Sequence, residues 1–250
     1  MQSYSPADSP ATGRAPQDPP LKAFFIAGGY AAGKTYVTET MFKEFNYETT
    51  GPTKLMEIVL KDNGIALASD LHSEEEKTKV SALRSAIKEY VEDYILVHLI
   101  NLKSVALEMA YWDYNNTLML KTIYESLGYE VYMIYVEAGE ETCLARNQKR
   151  ARREGADRVS NSNHSIKNWA DLFKKSFGEK YHTIDNEKDV AGDEIYREEF
   201  EARLRELGKS IFTEPNLNPA REALLAEMKE KNASKLSEVY PKLINLMFKI

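Results

Sequence analysis

Gly28, Gly29, Tyr30, Ala31, Ala32, Gly33, Lys34 and Thr35 follow one another in the spacing G-x-x-x-x-G-K-[ST]. That spacing suits one chemistry, the gripping of a polyphosphate. Glycines let the backbone come close to phosphate oxygens, and free N–H groups at a helix N-terminus point at the bound charge. Lys34 is expected to reach the β- and γ-phosphates, and the Thr35 hydroxyl to ligate Mg²⁺. A chance match in a turn is the competing reading, and the flanking elements decide against it. Leu21 to Ala27 is a short apolar run that reads as a buried strand, and Val37, Met41 and Phe45 recur at i, i+4, i+8 as one face of a helix.

Two further groups of side chains could do chemistry beside that loop. Arg146, Lys149, Arg150, Arg152, Arg153 and Arg158 crowd into one short segment of a chain whose net charge is −6. The spacing predicts a helix from Glu140 to Glu154, ended by Gly155, with Arg146, Arg150 and Arg153 on one face. Guanidinium forks bind phosphate oxygens bidentately and offset charge that develops during phosphoryl transfer, so Arg146 and Arg150 are the candidate catalytic cations. The second group follows a predicted strand Ser104 to Met109. Glu108 there reads either as a carboxylate serving Mg²⁺ or as a side chain alternating into a polar layer, and both readings stand. Asp113 reads as a proton acceptor or as a helix cap, with Asn115 and Asn116 competing for the cap. Tyr111, Trp112 and Tyr114 read as a stacking platform for a base or as ordinary packing.

The elements that must position these groups alternate. Strands are expected near 46–50, 104–109, 131–136 and 181–185 besides the first. Helices are expected from Pro52 to about Asp62, from Glu74 to about Leu99 behind a Ser73–Glu76 capping box, from Thr117 to Leu127 with Gly128 after it, and from Ser165 to Phe177. Alternation of this kind predicts an α/β fold, a parallel sheet sandwiched by helices, with ligands outside the carboxyl ends of the strands. Asp62 and Asp70, in the linker between two of these helices, are further candidate bases or turn residues. Residues 1–20 read as a disordered Pro-rich tail, 21–190 as the α/β domain and 191–250 as a helical extension.

Composition narrows the class. A single cysteine, Cys143, leaves no internal disulfide and no cysteine metal cluster, and four scattered histidines make no ligand pair. The negative charge argues against a protein that coats nucleic acid, though not against a local basic patch. The lone cysteine suits a reducing cytoplasm, and no run approaches the length of a membrane span, so no membrane partner is expected. A guanine-specific Asn-Lys-x-Asp signal is lacking, as is the arginine-finger and sensor layout of a AAA-type motor.

The loop GGYAAGKT after the first strand, the run Leu127 to Val136 and the run Leu144 to Arg150 together resemble P-loop kinases of the zeta-toxin type, in particular the small kinase-like proteins encoded by tailed phages. The resemblance spans about Leu21 to Asn186. It implies a kinase-like P-loop fold, ATP with Mg²⁺, and transfer of the γ-phosphoryl group to a hydroxyl of a nucleoside, a nucleotide or a modified base such as hydroxymethylpyrimidine in nucleic acid. A sugar-nucleotide acceptor is the alternative of the zeta-toxin kind, and a P-loop ATPase acting on a protein partner is another. A phage origin would place the protein in the host cytoplasm. Lys34 and Thr35 match the family's phosphate loop, and Arg146 and Arg150 its basic helix. The chain departs from the pattern at Glu108-Met109-Ala110, where an Asp-Gly-Thr-like strand end is usual, at Glu48 to Thr53, which lacks a strand-end Asp, and at Ala32.

Overall fold

A computed structural model describes residues 20–108, 113–188 and 193–241. Five strands make one parallel sheet: β1 (Lys22–Ala27), β2 (Glu48–Thr49), β3 (Val105–Glu108), β4 (Glu130–Glu137) and β5 (Tyr181–Asp185), in the order β2-β3-β1-β4-β5. β1 thus lies at the centre, hydrogen-bonded on both edges. Its six residues are all buried, including Lys22, whose ammonium group donates to Glu130 and to the Tyr132 hydroxyl.

Alternation along β1 divides the core in two. Ala23, Phe25 and Ala27 face one layer with Leu107, Tyr124, Met133 and Phe173; Phe24 and Ile26 face the other with Val37, Phe42, Ile134 and Phe200. Helices α1 (Lys34–Phe42), α2 (Pro52–Asp62), α3 (Glu74–Ile100), α4 (Tyr114–Ser126), α5 (Glu140–Lys149) and α6 (Ala156–Phe177) connect the strands. The capping box at Ser73 and Glu76 starts α3 as its sequence requires. Met56 and Leu60 of α2 pack with Val80 and Ile87 of α3 in a third, smaller cluster of their own.

After β5 come α7 (Glu194–Thr213), α8 (Pro219–Glu230) and the short α9 (Leu236–Val239). Their apolar residues enter the same two cores: Phe200, Leu204 and Ile211 on one side, Leu224, Met228, Leu236 and Val239 on the other. Gly208 lets α7 approach α1 so closely that a Cβ there would collide with the Met41 carbonyl. The side-chain amide of Asn216 donates to the carbonyls of Pro20, Leu21 and Gly128, tying this part to the start of β1.

Three expectations are corrected. The helix after β4 stops at Lys149, not Glu154, and Arg150 is extended (φ −83°, ψ 145°). Gly155 does not end that helix; it stands before the first turn of α6. The segment 156–164, which reads as a polar gap, is the first half of α6. Its inward positions after Val159 are Ser162 and Asn163, buried but polar, so the apolar period is interrupted where the helix meets the phosphate loop.

Candidate functional site

The loop between β1 and α1 has the backbone its sequence demands. Gly28 (φ 151°) and Gly33 (φ 97°) take conformations that side chains disfavour, and a Cβ on Gly28 would come within 2.6 Å of the Val136 carbonyl. Ala31 holds a left-handed conformation (φ 62°) despite its Cβ, at a cost of about 1–2 kcal/mol. Ala32, unusual in the motif, is fully buried in the second core, where a methyl group is an asset.

Neighbours outside the motif fix its shape. The Tyr30 N–H donates to Ser162 Oγ at 2.8 Å, and Asn186 Nδ2 donates to the Ala32 carbonyl at 2.7 Å. The Asn163 amide packs so closely on Gly29 that no side chain fits there. Sequence reading missed Ser162, Asn163 and Asn186. Their one signal was polarity at positions where a helix face or a strand end is otherwise buried.

Lys34 Nζ lies back over the loop, donating to the carbonyls of Gly28 (2.9 Å) and Gly29 (2.8 Å). Enclosure of its ammonium end pulls its pKa down to about 8, opposed by Glu108 and assisted by Arg150. Thr35 Oγ1 donates to Glu108 Oε2 at 2.7 Å, and Glu108 is 5% exposed. The side chain of Glu108 therefore turns toward the loop. A hydroxyl and a carboxylate side by side are hard oxygen donors that fit Mg²⁺, which takes one or two protein ligands and leaves the rest to water and phosphate. Among the described residues no cluster of three or more His, Cys, Asp or Glu side chains could hold a metal by itself.

The basic segment divides rather than forming one face. Arg146 donates to the backbone carbonyls of Asn186 (2.8 Å), Glu187 (3.4 Å) and Lys188 (3.1 Å), fastening the end of β5. Arg153 pairs with Asp70 at 3.4 Å, and its carbonyl accepts from the Ser69 N–H. The backbone N–H of Arg150 donates to the Asn147 carbonyl, and its guanidinium is close enough to Lys34 to depress the lysine's pKa. Arg158 lies over the Tyr30 ring, 5.5 Å from its centroid.

Asp113 is the N-cap of α4, accepting from the Asn116 N–H at 2.9 Å, while Asn115 and Asn116 are inside the helix. Its carboxylate is committed to that cap. Tyr114 stacks on Trp169 at 5.9 Å and bonds Ser176 through its hydroxyl, which makes it a packing residue rather than a platform. Tyr111 and Trp112, with Met109 and Ala110, lie outside the described residues. Asp62 is exposed at the end of α2. Asp70, by contrast, lines a cavity of about 400 Å³ with His72, Arg84, Glu154, Asp157 and Arg158. This cavity lies between α3 and the turn joining α5 to α6, and Arg158 connects it to the phosphate loop.

The family model AAA_33, described as AAA domain, matches residues 24–176, more than half of the chain's 250 residues. The chain belongs to this family. Family membership covers the phosphate loop, Glu108 and the segment 146–158, and β1 between β3 and β4 gives the family member its kinase-like P-loop fold. The name AAA is one that the missing finger-and-sensor layout did not lead us to expect, and it carries neither the zeta-toxin type nor a phage origin. Among curated protein sequences none matches the chain. Solved structures similar to it include a protein of Chloroflexus aurantiacus j-10-fl (13% identity, TM-score 0.48, 76% of this chain and 98% of that one). A gluconokinase from Sinorhizobium meliloti 1021 (13%, 0.46, 77% and 97%) and a shikimate kinase from Bacteroides thetaiotaomicron (13%, 0.40, 75% and 98%) are similar to a like degree. With TM-scores below 0.5, none of them bears on what this chain does. No helix among the described residues is long and apolar enough to cross a membrane.

Proposed function

We propose that the protein is an ATP-dependent phosphotransferase that passes the γ-phosphoryl group to a hydroxyl of a small acceptor, a nucleoside, nucleotide or modified base being the class its sequence resemblance favours. The observation that carries this reading is the pairing of Thr35 with Glu108 directly beside Lys34, on a loop that Arg158, lying over Tyr30, links to a cavity of small-molecule size. Bound Mg²⁺, held by Thr35 and by Glu108 directly or through water, would neutralise charge on the ATP phosphates.

The chain's own groups divide the remaining work. Backbone N–H groups of Gly33, Lys34 and Thr35 at the start of α1 bind the phosphates, and Lys34 leaves its two carbonyls to meet the β- and γ-oxygens. Arg150, extended in its backbone and close enough to Lys34 to lower its pKa, stabilises charge on the transferring group. Arg146 positions the β5 end, and with it Asn186, rather than touching phosphate. Asp70 and Asp157 are the cavity carboxylates left to accept the acceptor's proton, since Glu154 is held by two arginines at 2.6 and 2.9 Å whereas Asp70 has only the longer, 3.4 Å contact with Arg153.

The test is incubation with γ-labelled ATP and a panel of nucleosides, nucleotides, sugars and hydroxymethylated DNA. Label is expected on one acceptor class and not on it with Lys34→Ala. Phosphate released only to water across the whole panel would refute the reading.

A further inference from the structure

Glu154 is the meeting point of three guanidinium groups. Its carboxylate accepts from Arg84 Nη2 at 2.9 Å and from Arg152 Nη2 at 2.6 Å, and Arg158 Nε stands 3.6 Å away. The three come from different places: Arg84 from α3, Arg152 from the turn after α5, and Arg158 from the first turns of α6. Arg153 stands beside them paired with Asp70, and Lys77, whose ammonium pairs with Glu74, lines the same cavity as Asp157. With Arg153 and Lys77 so paired, the arginines on Glu154 are the cations left in excess, in a protein that is acidic overall.

One buried carboxylate cannot satisfy the guanidinium fork of Arg84, with five donors in a fixed plane, while it also accepts from Arg152. Like charges held this close repel one another unless a further anion enters. Among the described residues only Nη2 of the Arg84 guanidinium is engaged by protein, and that side chain remains 31% exposed toward the cavity. The fold pins the arrangement. The Asn147 side chain bonds both the N–H and the carbonyl of Glu154, so the turn cannot swing away to relieve the crowding.

With the cavity taken as the acceptor site, as proposed above, we infer that the acceptor is itself an anion: a hydroxyl compound carrying a phosphate monoester or carboxylate, gripped by Arg84 at the end of the cavity held by Glu154. A nucleotide then fits where a bare nucleoside does not. The oxyanion takes the open donors of Arg84 and completes the neutralisation that Glu154 begins.

The experiment titrates the full chain with ribose 5-phosphate, gluconate and ribose, followed by calorimetry or by tyrosine and tryptophan fluorescence. It is run on the native protein and on the Lys34→Ala, Arg84→Gln and Arg84→Lys variants. At least one charged probe is expected to bind and ribose to fail, the stronger of the two charged probes distinguishing phosphate from carboxylate. Binding should survive Lys34→Ala, fall by about 10- to 100-fold in Arg84→Gln, and recover in part in Arg84→Lys. Circular dichroism of each variant, and the partial recovery in Arg84→Lys, separate lost contact from lost fold. Ribose binding as well as the charged probes, no binding of either charged probe, or binding that is lost in Lys34→Ala and indifferent to Arg84 would each overturn the inference. ATP binding is measured on the same samples. Its absence would defeat the phosphotransferase reading while leaving the Arg84 result to stand or fall by itself.

Discussion

The side-chain amide of Asn186 donates to the carbonyl of Ala32 at 2.7 Å, so a residue 154 positions downstream sets the shape of the phosphate loop. Asn186 is in turn seated by Arg146, which holds its carbonyl, and it is buried. Asn186→Ala leaves the Ala32 carbonyl without that donor. The expected outcome is weaker ATP binding together with a loss of about 1 kcal/mol, read as a fall in Tm of about 2–4 °C.

Arg146 and Arg150 separate cleanly by this geometry. Arg146→Ala frees the end of β5 and should lower Tm, with turnover falling only as ATP binding does. Arg150→Ala should leave Tm unchanged and lower kcat by about 10³-fold, the scale of an arginine that meets transferring phosphate. Thermal melts and steady-state kinetics on the two variants check the split, and equal effects on both would contradict it.

The Thr35–Glu108 pair makes a prediction about metal. Glu108→Gln keeps the shape and the acceptor oxygen for Thr35 but removes the charge. Affinity for Mg²⁺ in the presence of ATP is expected to drop by about 10- to 100-fold, with ATP binding in the absence of metal little altered. Titrating Mg²⁺ against turnover measures it.

Lys34 gives the pH dependence. Its folded pKa of about 8 lies below the ordinary 10.5, because burial disfavours the ammonium form. A lysine depressed in this way destabilises the fold fully below pH 8, and the penalty fades as pH rises toward 10.5. Phosphate binding needs the cation, so ATP affinity should decline above pH 8. Binding at pH 9 should draw in about one proton, against almost none at pH 7. Calorimetry in two buffers of different ionisation heat counts those protons.

Gly208→Ala tests the seat of α1. The added methyl meets the Met41 carbonyl and must push α7 outward. A loss of about 1–3 kcal/mol is expected from such overpacking, measured by denaturant unfolding.

The parts of the site legible in the sequence are those whose physics is local. Eight consecutive residues carry the phosphate loop, and a strand and a helix adjoin it. The capping box of α3 and the Gly128 stop after α4 are equally short-ranged. What stayed hidden depends on contacts across the chain. A helix continuing through Arg150 to Glu154 satisfies every local preference, yet the buried Asn147 side chain recruits the Glu154 backbone instead and breaks it. That one break sends Arg146, Arg150 and Arg153 to three different tasks. Asp113 outcompeted Asn115 and Asn116 as the cap, a choice among three good cappers that spacing does not make. Ser162 and Asn163 hid half of α6 because the positions they fill serve the loop, not the core.

Because Ser162, Asn163 and Asn186 hold a loop that begins at Gly28, the order of synthesis matters. A ribosome delivers the glycines early and their clamps late. A nascent chain arrested before Asn186 would carry the whole motif and still lack its shape, so ATP can become a ligand only after most of the domain has emerged and closed back on its own beginning.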